Sequence, residues 1–252
     1  MVKIHFDPKY QFLEQDILHF LKNFRKEGEY IKKGSRNVIK KIELNGTNLN
    51  VKSFKKPSLI KGIIYRFFRV TKAERSFNFA KKLLSKGIGT PEPICYIVNQ
   101  NGFRIHDSYY ISIQLNYDFD FRYLIHNPWA KNRTLILQKF TDFTYKLHEN
   151  SINFLDHSPG NTLIIDQKND TYGFYLIDLN RMRFEKLSLK QRMENLKRLW
   201  LSSQMITIVA KRYAEISNIP YPEVFQELNN SSRKFKIKLH RKRFLKKKFL
   251  FK

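Results

Sequence analysis

The stretch that decides the fold is residues 154–161, F-L-D-H-S-P-G-N, followed by residues 175–180, Y-L-I-D-L-N. A turn-rich loop leads into two short apolar strands, residues 161–165 and 173–177, and a polar loop at residues 166–170 joins them. Because a hairpin brings its outer ends together, we expect the residues that flank these two strands to lie close to one another.

Three flanking residues carry side chains of one chemical kind: Asp156 and Asn161 before the hairpin, and Asp178 after it. Phosphoryl transfer needs a carboxylate to orient or deprotonate an attacking hydroxyl, and oxygen ligands for Mg²⁺ on the nucleotide. We interpret Asp156 as the base, and Asn161 and Asp178 as metal ligands. Each residue alone is better explained as an ordinary turn or strand-end residue, but the three in this order match the D-x-x-x-x-N and metal-Asp spacing of protein-kinase-like sites.

The same stretch resembles a known family. Residues 148–161, H-E-N-S-I-N-F-L-D-H-S-P-G-N, and residues 176–184, L-I-D-L-N-R-M-R-F, resemble the bacterial lipopolysaccharide core kinases, the Kdo and heptose kinases. The resemblance extends from about residue 30 to about residue 213. It implies ATP- and Mg²⁺-dependent phosphorylation of a sugar hydroxyl of the lipopolysaccharide inner core or of a related glycolipid.

The resemblance also implies a fold. We expect an α+β, bilobal protein-kinase-like domain over residues 1–230, with a basic tail at residues 231–252. The small lobe, about residues 26–115, would be an antiparallel sheet with one main helix. The large lobe, about residues 116–230, would be mainly helical.

The chain departs from regulated protein kinases at several positions. Phe154 and Leu155 occupy the positions of His and Arg in H-R-D, and Asn180 replaces the Gly of D-F-G. There is no A-P-E motif, and few residues separate Asp178 from the next helix, which begins at the Ser188 capping box. These departures argue against a regulated protein kinase, but they leave the three site residues in place.

Four residues of the small lobe are candidates for nucleotide binding. Gly34 lies in the first hairpin turn, where backbone N–H groups would cover the phosphates, although it is the only glycine there. Lys52, with Lys55 as the fallback, would contact phosphate from the third strand. Glu74 is placed to pair with that lysine, and its capping box with Thr71 is an equally good reason for its presence. Gln114 begins the segment that would meet adenine through backbone groups.

Other segments are assigned by pattern. Residues 9–24 and 134–148 have apolar residues at helical spacing, and Asn45-Gly46 is a hairpin turn signal. Residues 57–69 read as a basic, aromatic insertion. Arg181 and Arg183, after the metal-Asp position, are candidates to neutralise a substrate phosphate or carboxylate.

Composition limits the partners and the compartment. The chain of 252 residues has a formal net charge of +26, which predicts polyanionic partners. One cysteine, Cys95, excludes an internal disulfide and fits a reducing cytoplasm. No segment reads as a signal peptide or a membrane span.

The tail at residues 231–252 is rich in Lys and Arg with interleaved apolar residues, and no acid follows Glu227. It is either a disordered, self-repelling tail or a surface for an anionic membrane leaflet or nucleic acid. Membrane binding agrees best with a lipid-linked acceptor, and we expect a cytoplasmic protein on the inner face of the cytoplasmic membrane.

Two alternatives to the glycolipid kinase stay open. One is a kinase for another small molecule or for a protein. The other is a non-catalytic, basic nucleic-acid-binding protein on a kinase scaffold, whose affinity would fall steeply with salt and would not need Asp156. Nucleic acid is the less favoured partner but is not excluded.

Overall fold

The computed structural model describes residues 2–35, 37–56, 70–101 and 104–250. The predicted insertion at residues 57–69 lies outside the described residues. The chain divides into two compact units, Met1–Asn116 and Tyr117–Lys252.

The described part of the first unit is a six-stranded antiparallel sheet with two α-helices. Its elements are β1 (Val2–Phe6), α1 (Glu14–Lys22), β2 (Glu29–Lys33), β3 (Asn37–Leu44), β4 (Thr47–Phe54), α2 (Lys72–Leu84), β5 (Pro93–Asn101) and β6 (Arg104–Ile113). The strand order is β1-β5-β6-β4-β3-β2.

The predicted local signals form the expected structures in this unit. Asn45 and Gly46 have φ of 48° and 72°, and they make the two-residue turn between β3 and β4. The helix α2 begins at Thr71, whose hydroxyl accepts a hydrogen bond from Glu74 N at 3.2 Å. These turns and caps depend on adjacent residues, so the sequence is sufficient to locate them.

The edge strand β1 was not predicted. It pairs antiparallel with β5, from Val2 opposite Asn99 to Phe6 opposite Cys95. Most of its residues are exposed, so it lacks the alternating pattern of a half-buried strand. The strand β1 can therefore be recognised only from its pairing with β5 in the structure.

One face of the sheet carries the core of the first unit. The helix predicted over residues 9–24 forms as the 3₁₀ helix Pro8–Leu13 followed by α1. α1 contributes Ile17 and Phe20 to this core, and β4 contributes Leu49 and Val51. Cys95 of β5 is also fully buried there, and burial raises the pKa of its thiol. The thiolate is therefore disfavoured at neutral pH.

The described part of the second unit contains five α-helices and five short strands. They are β7 (Phe119–Asp120), α3 (Arg122–His126), α4 (Arg133–Glu149), β8 (Ile152–Phe154), β9 (Thr162–Asp166), β10 (Tyr172–Leu176), β11 (Met182–Phe184), α5 (Leu189–Leu196), α6 (Ser203–Ser217) and α7 (Tyr221–Leu250). One sheet has the order β10-β9-β7, and β11 pairs with β8.

The helices of this unit share one hydrophobic core with the hairpin. Phe140 of α4, Ile164 of β9, Met193 of α5 and Val209 of α6 are buried in it, with Leu228 of α7. The predicted helix at residues 134–148 is α4, and the predicted hairpin at residues 161–177 is β9 and β10. The shared core fixes the hairpin on the helices.

The basic tail is helical in the structure. Residues 231–250 continue α7 without a break, so the predicted domain boundary after residue 230 falls inside one helix. Ser231 and Ser232 are buried, and Lys236 Nζ donates a hydrogen bond to Leu201 O at 2.8 Å. None of the helices in the described ranges has the length and hydrophobicity needed to cross a membrane.

Candidate active site

The loop that carries Asp156 is closed by its own backbone. Ser158 N donates to Asp156 O at 2.7 Å, and Asn161 N donates to Ser158 O at 2.9 Å. Pro159 begins the 3₁₀ turn Pro159–Asn161, because its fixed φ suits the first position of a helical turn. The sequence S-P-G-N therefore leads directly from the Asp156 loop into β9.

Asn161 connects the two ends of the hairpin. Its Nδ2 donates to Asp156 O at 2.8 Å, and its carbonyl oxygen accepts from Ile177 N at 3.0 Å. The β9–β10 register ends with Thr162 opposite Leu176, so Asp178 follows immediately after this connection. The structure thus brings Asp156, Asn161 and Asp178 to the same end of the hairpin.

Asp178 has an unusual backbone conformation. Its φ is 60°, in the left-handed region that non-glycine residues rarely occupy. Such residues cluster at functional sites, where the surrounding structure holds them in place. Asn180 Nδ2 donates to Asp178 Oδ1 at 2.7 Å, so the residue that replaces the Gly of D-F-G helps to orient this carboxylate.

The carboxylate of Asp156 lies between two arginines. Arg198 Nη2 is 3.0 Å from Oδ1, and Arg181 Nη1 is 3.6 Å from Oδ2. Arg181 is also bound through its backbone, since its carbonyl oxygen accepts from Leu155 N at 3.0 Å. Arg183, the other predicted arginine, is 3.9 Å from Glu185.

Sequence reasoning missed Arg198. It lies in the 3₁₀ turn Lys197–Leu199 that follows α5, far from Asp156 in the sequence. No motif marks it, because lysines and arginines are common in this chain and a cation near a helix end is usually solvated. Only the packing of α5 against the Asp156 loop brings it to the site.

Sequence reasoning also missed a buried polar network beneath the loop. Asn195 of α5 donates to Phe154 O at 2.8 Å and to Asn153 Oδ1 at 3.0 Å. Its own Oδ1 accepts from His157 Nδ1 at 3.0 Å. One amide thus contacts the chain on both sides of Asp156: the backbone of Phe154, two residues earlier, and the side chain of His157, the next residue.

Two histidines of this network are fully buried. Burial lowers the pKa of His157 to about 4 and that of His148 to about 3, and the Asn195 oxygen opposes the shift in both cases. His148 Nδ1 is 2.9 Å from the hydroxyl oxygen of Tyr213. Burial therefore favours the neutral form of both imidazoles at pH 7.

In the first unit, Lys52 lies on β4 opposite Ile39 of β3 and Tyr110 of β6. Its side chain is on the other face of the sheet from Val51, since successive strand residues point to opposite faces. It is buried, and its Nζ is 5.4 Å from the centre of the Phe54 ring. A buried lysine in a central strand is not an ordinary solvated surface residue.

The candidate Glu74 has a partner that was not predicted. Its carboxylate accepts a hydrogen bond from Lys3 Nζ at 2.6 Å, because the pairing of β1 with β5 brings Lys3 beside α2. Glu74 also occupies its capping position with Thr71. The proposed ion pair between Glu74 and Lys52 stays a prediction.

Gly34 lies in the predicted first hairpin turn, and Gln114 begins the predicted segment after the last strand of the first unit. Gly34 N donates to Asn37 O at 3.1 Å between β2 and β3. Gln114 follows β6; its backbone N–H donates to Asn48 O at 2.8 Å, and its side-chain oxygen accepts from Asn50 Nδ2 at 2.8 Å. The backbone of Gln114 is thereby fixed against β4.

The donor set at the hairpin end fits a magnesium ion. Because the Asn161 amide donates through Nδ2 to Asp156 O, its Oδ1 is directed away from that bond and can act as a ligand. Asp178 adds a carboxylate. Magnesium takes one or two protein oxygens and completes its coordination with phosphate oxygens and water.

Comparison with solved structures identifies the class of fold. The chain is similar to WaaP in its complex with acyl carrier protein, with a TM-score of 0.65 and 13% sequence identity. The similarity covers 95% of this chain and 98% of that chain. It confirms the predicted protein-kinase-like fold, with an antiparallel-sheet unit and a mainly helical unit.

Comparison with family models gives the family. The model of the lipopolysaccharide kinase (Kdo/WaaP) family matches residues 23–219. The protein therefore belongs to the lipopolysaccharide kinase (Kdo/WaaP) family and is a kinase, which confirms the resemblance inferred from its motifs. The search of curated proteins finds no match.

Proposed function

We propose that this kinase transfers the γ-phosphoryl group of ATP, with Mg²⁺, to a sugar hydroxyl of the lipopolysaccharide inner core or of a related glycolipid. The acceptor sugar would be Kdo or heptose. The observation that carries the proposal is the hydrogen-bonded connection of Asp156, Asn161 and the Ile177–Asp178 strand end. Family membership supports the class of acceptor.

Asp156 orients the acceptor hydroxyl in this proposal. The hydroxyl oxygen forms a bond to the γ-phosphorus, the bond from that phosphorus to the β–γ bridging oxygen breaks, and ADP leaves. The hydroxyl proton passes to the Asp156 carboxylate. The carboxylate is well placed for this role because it is only 18% exposed and held by Arg198.

Asn161 and Asp178 would hold the magnesium ion through Oδ1 of the amide and the carboxylate. The ion, when bound, supplies positive charge to the nucleotide phosphates. Asn180 keeps the Asp178 carboxylate in place, and the hydrogen bond to Asp156 O keeps the Asn161 amide in place. Both ligands are therefore pre-oriented by the chain.

Lys52 would contact the nucleotide phosphates, and the Gly34 turn would supply backbone N–H groups to them. The backbone after β6, from Gln114 onward, would meet adenine. Burial of Lys52 in β4 and the fixed backbone of Gln114 support these roles. Glu74 would assist Lys52 while also bonding Lys3.

A sugar acceptor fits the short segment after Asp178. Residues 179–188 contain β11 and end at the capped start of α5, where Ser188 and Gln191 form the predicted capping box. β11 is paired with β8 directly before the Asp156 loop. The segment is thus tied to the loop by strand pairing, which supports an acceptor that binds without prior phosphorylation of a long loop.

We also propose that α7 attaches the kinase to an anionic membrane surface on the cytoplasmic side. Ile237 and Phe244 are exposed on one face of α7, with Leu245 beside them and Arg233 and Arg241 on the same face. Residues spaced by 4, 7 or 8 positions share a helix face. Apolar side chains among cations suit the boundary of an anionic leaflet.

The test of the catalytic proposal is a phosphotransfer assay with γ-labelled ATP and an inner-core glycolipid as acceptor. We expect labelled acceptor only in the presence of Mg²⁺. Matched reactions with casein and with a single-stranded oligonucleotide should give no labelled product. Labelling of casein at the rate of the glycolipid, or no turnover on any Kdo or heptose acceptor, would contradict the proposal.

The test of membrane attachment is vesicle flotation of the full chain and of Ile237→Ser/Phe244→Ser. Truncation after residue 230 is a poor test, because it removes buried residues of α7. We expect the wild type to float with anionic but not neutral vesicles, and the variant to float several-fold less. Ile31→Ser/Phe12→Ser, which removes the same two kinds of exposed apolar side chain from the first unit, is the matched control. Equal flotation of wild type and the α7 variant would remove this role from the helix.

A further inference from the structure

The Asp156 carboxylate is held unequally by its two arginines. Arg198 Nη2 lies 3.0 Å from Oδ1, within the range of a charge-assisted hydrogen bond, whereas Arg181 Nη1 lies 3.6 Å from Oδ2. Arg198 is also the less exposed of the two, at 39% against 54% for the side chain. Arg198 therefore makes the contact that fixes the direction of the carboxylate.

The Arg198 side chain is itself fixed by packing. Its guanidinium carbon lies 6.0 Å from the ring centre of Phe235 on α7, and its Nε is buried with no hydrogen-bond partner among the described residues. Phe235 packs in turn against Trp200, with ring centres 5.9 Å apart. Guanidinium groups stack well on aromatic rings, so this arrangement limits the rotamers of Arg198.

The backbone near Arg198 is tied to the same loop. Asn195, three residues earlier in the chain, bonds Phe154 O and His157 Nδ1 on either side of Asp156. The end of α5 thus holds the loop backbone through Asn195 and the Asp156 side chain through Arg198. Three contacts, two from Asn195 and one from Arg198 in the turn after α5, hold the loop and the carboxylate.

The loop itself provides no cation for this purpose. Leu155 precedes Asp156, and the residues from His157 to Asn161 include no lysine or arginine. We propose that Arg198 is a positioning residue that holds the Asp156 carboxylate toward the acceptor hydroxyl, and that Phe235 of α7 holds Arg198 in turn. This inference rests on the role of Asp156 in the proposed function.

A carboxylate can accept a hydrogen bond from Arg198 and another from the acceptor hydroxyl at the same time. Its two oxygens have about four acceptor positions, so a guanidinium bond to Oδ1 leaves positions for the hydroxyl proton. Without the Arg198 bond, only the longer 3.6 Å contact with Arg181 remains to hold the carboxylate toward the hydroxyl. Misplacement of a reacting group by about 1 Å can cost about 10²-fold in rate.

The experiment compares Arg198→Ala and Arg198→Lys with wild type in the full chain. We expect Arg198→Ala to lower kcat by about 10–10²-fold while the KM for ATP changes by less than about twofold. Arg198→Lys should be intermediate, because lysine keeps the charge but loses the planar fork and its stacking on Phe235. Thermal unfolding of each variant shows whether it is folded.

The matched control is Arg212→Ala. Arg212 pairs with Asp142 at 2.6 and 3.1 Å in the same unit, and neither residue contacts the Asp156 loop in any observed hydrogen bond. Arg212→Ala therefore measures how far kcat falls when an arginine–aspartate ion pair away from the Asp156 loop is lost. A kcat for Arg198→Ala within threefold of wild type, or an equal loss of kcat in Arg212→Ala, would overturn the inference.

A double-mutant cycle separates this inference from the proposed function. In the Asp156→Asn background, Arg198→Ala should cause less than about threefold further loss, because the two residues act as one unit. If Asp156→Asn itself kept wild-type turnover, the proposed function would fail. If Asp156→Asn were inactive and Arg198→Ala fully active, only the positioning role would fail.

Discussion

The two units hold their candidate site residues in different ways. In the second unit, Asp156, Asn161 and the strand end before Asp178 are connected by hydrogen bonds within one hairpin. In the first unit, Lys52 and Glu74 are on separate elements, and Glu74 is bonded to Lys3 of an edge strand. The candidate catalytic residues therefore belong to a local structure, whereas the candidate nucleotide-binding residues depend on the assembly of a whole sheet.

The largest expected effect comes from breaking the local set at its carboxylate. We expect Asp156→Asn to lower turnover by about 10²–10⁴-fold, because it removes the group that orients the hydroxyl and accepts its proton. Nucleotide binding should change little, since the substituted residue is not proposed to contact ATP. Steady-state kinetics and equilibrium titration with ATP measure the two quantities. Turnover within threefold of wild type would contradict the assignment.

The candidate residues of the second unit could be found from the sequence because they belong to one local structure. D-x-x-x-x-N, the hairpin and the S-P-G-N turn all involve neighbouring residues, and the structure brings the three candidates to one end of β9 and β10. Arg198 and Asn195 carry no sequence signal, because only the packing of the helical core brings α5 and the turn after it to the loop. Long-range packing of polar side chains leaves no periodic signal.

In the first unit, the antiparallel sheet and its local turns and caps were predictable, but the edge strand was not. The Asn45-Gly46 turn and the capped start of α2 form as expected. The strand β1 was missed, and with it the bond between Lys3 and Glu74. An exposed, charged strand at a sheet edge has no apolar alternation, so its pairing partner is decided by tertiary structure.

The second prediction sharpens the comparison within the hairpin. Asp178→Ala should lower turnover by roughly 10²-fold and raise the Mg²⁺ concentration needed for half activity. Asn161→Ala should have the smaller effect on the Mg²⁺ requirement, because a neutral amide interacts less strongly with a divalent cation than a carboxylate does. Activity is titrated with MgCl₂ at saturating ATP. An unchanged rate and Mg²⁺ requirement in Asp178→Ala would place the metal ligands elsewhere.

The third prediction concerns the first unit. Lys52→Ala should lower kcat/KM for ATP by about tenfold or more. A charge-assisted hydrogen bond from a buried lysine to a phosphate is stronger than the same bond from a solvent-exposed lysine. Glu74→Gln should have a smaller effect, because Glu74 is proposed to act only through Lys52 and its carboxylate also bonds Lys3.

The matched control for this prediction is Lys55→Ala. Lys55 is exposed just after β4, three residues from Lys52. Its replacement should leave kcat/KM within about twofold of wild type. If Lys55→Ala were the impaired variant and Lys52→Ala the active one, the fallback lysine would be the phosphate contact.

The last prediction concerns the stability of the fold and its dependence on pH. The pKa values of His157 and His148 are lowered to about 4 and about 3 by burial, below the unfolded value of about 6.5. The neutral folded forms are thus fully stabilised above pH 6.5, and stability falls as the pH drops toward 4. The slope is at most about 1.4 kcal/mol per pH unit for each histidine.

Urea unfolding at pH 7.5, 6 and 5, followed by tryptophan fluorescence, measures this slope. Both tryptophans, Trp129 and Trp200, belong to the second unit and report on it. His157→Gln should reduce the slope, and His126→Gln, at an exposed position, should not. Equal slopes in wild type and His157→Gln would show that His157 does not contribute to the pH dependence.

The most direct test of the central claim is mass spectrometry of the lipid A-core glycolipid from cells that carry the wild-type gene, a deletion, or Asp156→Asn. We predict that the wild type adds one phosphate to an inner-core sugar, and that the deletion and Asp156→Asn both lack it. Restoration of the phosphate by Arg212→Ala would show that the loss is specific to the Asp156 site. An unchanged phosphate content in the deletion and Asp156→Asn strains would contradict the assignment of this chain as a kinase of the lipopolysaccharide core.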